Sequence, residues 1–339
     1  MNIFIKKNIH WLKQEFLGII KKIQINGEKK MTNGNTLKKF NTEKLPNFLI
    51  EKLQNQYGEK VAEIINGYKA KRKTTFRINT IKSNNEEIET VLKKENIKFA
   101  KPSFSNIAYI IENANEADLQ ELEIYKEGKI YLQSLSSMLP PIILNPTENK
   151  DILDMAAAPG GKTTQMAALT HNKAHITACE MNSVRAERLK YNVEKQGASC
   201  VYCMIKDSRN IDDFFSFDQI LLDAPCSGSG TLNINENIQK YFTQKLIEKS
   251  VKAQTALLNK AVNILKPGCE MVYSTCSILA CENEDVVNSV LKKGKVEIVP
   301  IEDDFVKDLP LLPTKLPGTL CIAPNELYEG FFVAKLRKI

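Results

Sequence analysis

No run of eighteen or more apolar residues occurs in the chain, so the sequence excludes a membrane-spanning helix. The first thirty residues lack the apolar centre and small-residue cleavage site of a signal peptide, which points to the cytoplasm. There is no internal repeat and no low-complexity tract. A metal has little to hold it: the eight cysteines contain one C-x-x-C, Cys200 and Cys203, with no second pair, and His171 and His175 are not at ligand spacing. Two side chains of a strand are the simpler reading of that pair. Without a secretory signal all eight thiols are expected to be reduced. Apolar residues are plentiful, at 43% of 339, enough for a packed core spread over two domains.

The net charge of +7 is unevenly spread, with 21 Lys/Arg against 10 Asp/Glu in residues 1–100 and 26 against 30 thereafter. Cations gathered on the leading module suit a polyanion, because each phosphate contact releases counterions. Residues 1–30 read as an extension outside the fold. The string before Met31, with Gly27-Glu28 readable as GGA-GAA and Lys29-Lys30 as an adenine-rich spacer, is that of a ribosome-binding sequence, so translation is expected to start at Met31. The rival reading is a basic amphipathic helix through Ile3, Phe4, Trp11, Phe16, Ile19 and Ile20.

Apolar residues at helical spacing predict helices over 45–69, with Gly58 as a break. The period then changes, giving a strand over 74–80, a helix over 84–95, a strand over 107–111, a helix over 116–125 and a strand over 129–135. This small α/β module carries the run Lys69, Lys71, Arg72 and Lys73, with Arg77, and is expected to bind RNA through Lys71, Arg72, Lys73 and Arg77. No aromatic pair has the spacing of a base-stacking platform. Pro140, Pro141 and Pro146 mark the joint to a second part.

From Asp151 strands and helices alternate: strands over 151–158, 175–181, 201–206, 217–223 and 269–275, with helices from 161 and over 184–196, 243–265 and 282–292. That pattern predicts α/β architecture, a Rossmann-like doubly wound, mostly parallel sheet, with ligands at the carboxyl ends of its strands.

Those ends carry the chemistry. The first reads Asp154-Met155-Ala156-Ala157-Ala158-Pro159-Gly160-Gly161-Lys162-Thr163, where small residues let a ligand approach the backbone and a helix start offers unpaired N–H groups. A phosphate loop needs glycine where Ala156 stands, which demotes a nucleotide triphosphatase, although Gly161, Lys162 and Thr163 keep that alternative open. Glu180 ends the second strand, placed to accept both hydroxyls of a ribose, and Asp207 the third, placed to accept from an adenine amino group. These acids with the glycine loop indicate an adenosine-containing cofactor. The fourth strand runs into Asp223-Ala224-Pro225-Cys226 and the fifth into Ser274-Thr275-Cys276, so two thiols should emerge on one sheet edge. An exocyclic amine needs no thiol. A cytosine C5 is inert until a nucleophile adds to C6, and thiolate suits that addition.

The motifs FRINTIK, YLQSLSSML, DMAAAPGGKT, DAPCSGSG, YSTCS and EGFFVAKLRK, in that order over 76–338, resemble the Nol1/Nop2/Sun (RsmB-like) RNA cytosine-5 methyltransferases. The resemblance implies a class I, S-adenosylmethionine-dependent methyltransferase domain over 141–339, behind an RNA-binding module over 31–140. It implies Cys276 as nucleophile, Cys226 as the thiol that aids product release, and Ala156, Ala157, Ala158, Pro159, Gly160, Gly161, Lys162, Glu180, Asp207 and Asp223 around the cofactor. Asp223 would hold the cytosine at N3 and N4, with Lys162 positioning Asp223 or the ring. DNA cytosine methyltransferases are the nearest chemical rival, but their Glu-Asn-Val motif and target-recognition insert are missing. Two departures stand out: Glu180 replaces a more usual Asp, and Glu329 precedes Gly-Phe-Phe where Asp is frequent. The expected protein is a metal-free monomer acting on ribosomal RNA, or next on transfer RNA. A noncatalytic RNA-binding or ribosome-assembly protein is the remaining alternative.

Overall fold

The computed structural model describes residues 44–234 and 236–339. The expected start at Met31 and the amphipathic helix over residues 3–20 lie outside them.

The leading segment is two helices, α1 (Asn47–Tyr57) and α2 (Val61–Lys69), separated by a tight turn at Gly58, whose φ of 53° favours glycine. Their stripes bury Leu49, Leu53, Tyr57, Ile64, Ile65 and Tyr68. A small antiparallel sheet follows: β1 (Thr75–Ile78), β2 (Phe99–Ala100), β3 (Ala108–Ile111) and β4 (Ile130–Leu132), ordered β2-β3-β1-β4. Helix α3 (Asn85–Lys94), capped by the Asn84 side chain, buries Ile88 and Leu92 against Phe76, Tyr109 and Ile130 of this sheet. The helix expected over 116–125 is two pieces, α4 (Glu116–Glu121) and α5 (Glu123–Lys126), because Leu122 is extended at ψ 141°.

The joint is also different from expectation. The strand foreseen to 135 stops at Leu132, and Leu135–Leu144 is a helix, α6, with Pro140 and Pro141 inside it. Burial overrides propensity there, since Met138, Leu139, Ile143 and Leu144 join the main core and Ser134 caps the helix.

Among the described residues nine strands form the second sheet. The strands are β5 (Asp151–Asp154), β6 (His175–Glu180), β7 (Val201–Ile205), β8 (Phe217–Asp223), β9 (Leu265–Thr275), β10 (Val296–Ile298), β11 (Leu311–Leu312), β12 (Leu320–Ile322) and β13 (Phe331–Lys338), ordered β11-β12-β13-β9-β8-β5-β6-β7 with β10 on β13. Strands β9, β8, β5, β6 and β7 are parallel, as the alternation foretold. Helices α7 (Gly161–Leu169), α8 (Ser183–Gln196), α9 (Gln244–Ile264) and α10 (Glu284–Leu291) complete the Rossmann-like unit. Strand β13 enters antiparallel to β9, pairing Phe332 with Thr275, so the sheet is mixed. The first strand ends at Asp154, four residues before expectation, because residues 155–160 turn out of the sheet into the glycine loop. Among the described residues no helix is long and apolar enough to cross a membrane.

Candidate active site

The loop after β5 is tethered by Ala157 N donating to Cys179 O at 2.9 Å. It contains a cis Ala158–Pro159 bond and turns into α7 at Gly160, whose φ of 107° is a backbone conformation L side chains rarely adopt. Lys162, in the first turn of α7, donates to Ser137 Oγ at 2.7 Å and to Asp223 Oδ2 at 2.8 Å. Ser274 Oγ donates to the other oxygen, Asp223 Oδ1, at 2.7 Å. The Asp223 carboxylate at the end of β8 is thus fixed by side chains of α7 and β9. Asp154 is buried, accepts from Thr163 Oγ1 at 2.7 Å through Oδ2, and leaves Oδ1 with no partner. Burial raises its pKa to about 7, with the Thr163 hydroxyl opposing the rise.

Because β8 and β9 pair in parallel, with Asp223 opposite Ser274, the loops that follow them leave the same edge. Cys226 and Cys276 are both free thiols, and their Sγ atoms are 3.0 Å apart. Contact with Cys276 and then burial push the Cys226 thiol well above its ordinary range, with negative charge on Cys276 and Glu282 adding to the effect. A cleft of about 480 Å³ opens at this edge. Cys276 lines it, whereas Cys226 does not.

The structure brings together most of the residues singled out in the sequence. Ala156, Ala157, Ala158, Pro159, Gly161, Lys162 and Asp223 line the cleft with Asp154, while Gly160 does not. Glu180 and Asp207 stand outside its wall. Glu180 accepts from Asn182 N at 2.9 Å and meets Arg185 Nη1 at 3.3 Å, and Arg185 Nη2 donates to Ala158 O. Asp207 is engaged by Arg209, which holds its carboxyl below the usual range. At the mouth, Arg72 and Lys73 line the cleft and Lys71 is exposed beside it. Arg72 also donates to the carbonyls of Asn325 and Tyr328.

Arg77 departs from expectation. It was foreseen on an RNA-binding surface, yet it is 1% exposed, donating to Gln133 Oε1, Gly161 O and Thr164 Oγ1 with its guanidinium 5.1 Å from the Tyr131 ring centroid. A buried cation needs acceptors, and these tie β1 to the start of α7 instead of meeting RNA.

Several residues at the site carried no signal in the sequence. Glu282 receives hydrogen bonds from residues following both cysteines, but an acid just before a helix reads as an ordinary N-terminal charge. Gln56 and Tyr57, more than two hundred positions earlier, both donate to Ile278 O in the Cys276 loop. Among the described residues no group of three or more His, Cys, Asp or Glu is arranged to hold a metal.

The chain matches the family described as 16S rRNA methyltransferase RsmB/F over residues 141–337, and an RsmF/B-like ferredoxin-like domain over 45–118. It is 33% identical over 282 residues to ribosomal RNA small subunit methyltransferase F of Shewanella loihica, covering 78% of this chain and 56% of that protein. It is 32% identical over 273 residues to tRNA (cytosine(49)-C(5))-methyltransferase of Pyrococcus abyssi, covering 78% of this chain and 88% of that protein. The chain thus spans little more than half the length of the Shewanella relative. A methyltransferase homolog protein from Pyrococcus horikoshii superposes with a TM-score of 0.74 at 30% identity, over 87% of this chain and 100% of that one.

Proposed function

Since the chain belongs to the 16S rRNA methyltransferase RsmB/F family, we propose that it is an S-adenosylmethionine-dependent RNA methyltransferase forming 5-methylcytosine. It acts in the cytoplasm as a monomer, and its substrate is ribosomal RNA, with transfer RNA as the alternative. The observation that carries this reading is the pair of free thiols 3.0 Å apart, with one of them facing the cleft that the glycine loop and Asp223 enclose.

The cleft suits the cofactor. The small side chains of Ala156, Ala157 and Ala158 leave room for it, and the buried, unpartnered Oδ1 of Asp154 is an acceptor waiting for a donor. Glu180, 3% exposed at the end of β6, is the ribose ligand, and Asp207 the adenine ligand. When bound, S-adenosylmethionine supplies an electrophilic methyl group on a sulfonium.

The chain's own residues do the rest. The Cys276 thiolate adds to C6 of a cytosine turned out of its stack. Asp223, oriented by Lys162 and Ser274, accepts from the cytosine N4 amino group and shares a proton with N3, and that proton offsets the electron density that the addition delivers to the ring. After C5 is methylated, a base or water takes its proton and Cys276 is eliminated. Cys226 promotes that release: its raised pKa keeps a proton 3.0 Å from the departing sulfur. Lys71, Arg72 and Lys73 hold the RNA backbone at the mouth.

Bisulfite sequencing of total RNA from a deletion strain tests the reading. A cytosine that loses protection, and regains it with the wild-type chain but not with Cys276→Ala, is the expected result; an unchanged cytosine map would reject it.

A further inference from the structure

The Glu282 carboxylate lies at the centre of the two cysteine loops and is 0% exposed. Its Oε1 accepts from Ser227 N at 2.7 Å, and its Oε2 accepts from Ser227 Oγ at 2.5 Å and Ser277 Oγ at 2.6 Å. Ser227 and Ser277 are the residues directly after Cys226 and Cys276, so one carboxylate grips both loops one residue beyond each sulfur. The grip is itself held. Tyr273 Oη donates to Glu282 O at 2.6 Å, and Gln254, whose Nε2 donates to Pro225 O at 3.0 Å, approaches Oε1 at 3.5 Å. Ser277 Oγ also lies 2.8 Å from Ser229 Oγ, a second link between the loops.

All these donors are neutral. A carboxylate carried into a protein interior by hydroxyls and amides costs free energy that apolar packing would avoid, and such groups are kept where they specify a geometry. Glu282 plays no part in lining the cleft. We propose that Glu282 is a positioning residue, whose carboxylate fixes the separation and orientation of the Cys226 and Cys276 thiols and places a negative charge beside them. The inference rests on the methyl-transfer reading above for its kinetic consequence, but not for its effect on the thiols. Its negative charge is among the influences that keep Cys226 protonated, behind the contact with Cys276 and burial.

The test is Glu282→Gln in the full chain, read in two ways. In methyl transfer to RNA, kcat should fall about 10–100-fold, as expected of misplaced reacting groups, with KM for RNA and cofactor within about twofold of wild type. In iodoacetamide labelling across pH, followed by mass spectrometry of the Cys226 peptide, the half-labelling point should move to lower pH because a negative neighbour has been removed. A wild-type result in either measurement overturns the inference, as does a loss of activity expressed entirely in KM. A wild-type chain that methylates no RNA would sink the functional reading and leave the labelling experiment to decide Glu282. Should Glu282→Gln fail to fold, Ser227→Ala removes one hydroxyl of the grip while leaving the charge in place and must lower kcat by a smaller factor with KM unchanged; a wild-type kcat there also overturns the inference.

Discussion

Gly230 and Gly330 touch backbone to backbone: a Cβ placed on Gly230 would stand 1.9 Å from the Gly330 carbonyl oxygen, and Gly330 N donates to Gly230 O at 2.8 Å. Gly230 N in turn donates to Cys276 O at 2.9 Å, so the Pro-Cys loop is pressed against both the Thr-Cys loop and the start of β13. Gly230→Ala forces backbone apart at this point. It should cost about 1–3 kcal/mol in urea unfolding and lower kcat as well, as measured by methyl incorporation. A variant with unchanged stability and rate would show that the contact can open freely.

The two cysteines should fail differently. Cys276→Ala should abolish both turnover and covalent capture of RNA, whereas Cys226→Ala should accumulate a protein–RNA adduct that survives a denaturing gel. Their placement, with Cys276 on the cleft wall and Cys226 in contact with it but not lining the cleft, motivates the asymmetry. An adduct formed by Cys276→Ala would exchange the two roles.

Asp154 predicts a slope in stability with pH. Its folded pKa of about 7 lies above the ordinary carboxyl value of about 4, so between those limits the folded chain keeps a proton that the unfolded chain has lost. This group's contribution to stability is therefore full below about pH 4 and is lost as the pH rises through 7. Asp154→Asn, neutral throughout, should flatten that part of a urea-midpoint profile. A variant retaining the wild-type slope would assign it to other groups.

Arg77 and Lys73 should separate stability from RNA affinity. Arg77→Lys cannot reach Gln133, Gly161 and Thr164 together and should cost about 1–3 kcal/mol in unfolding. Lys73→Ala should leave stability unchanged and reduce the salt slope of RNA binding by about one. If Arg77→Lys weakened RNA binding without loss of stability, Arg77 would have to be reassigned to the interface.

What was legible in the sequence was whatever a strand end or a period could carry. Alternation over 151–275 gave away the parallel sheet, and the motifs at its ends put Asp223, Cys226 and Cys276 on one edge because a parallel sheet delivers every carboxyl end there. What escaped depended on burial or distance. Arg77 reads as a surface cation until Tyr131 and the glycine loop close over it. Pro140 and Pro141 read as a break until the surrounding core holds their helix. The strands from Val296 onward are short or paired antiparallel, so no alternation announced them. Glu282 reaches the Cys226 loop, and Tyr57 the Cys276 loop, across chain separations that no local pattern encodes.

The bond from Tyr57 to Ile278 O and the exchange between Gln56 and the Ile278–Ala280 backbone have a consequence for any attempt at dissection. A fragment cut at residue 141 would keep the sheet, the glycine loop and both thiols, yet it would bare a carbonyl and an amide that the first helix now covers, in the loop that follows Cys276. The first helix is thus a supporting wall for the loop that carries Cys276. A transplant of the front half between relatives would preserve catalysis only if the incoming helix brought the same two side chains to bear.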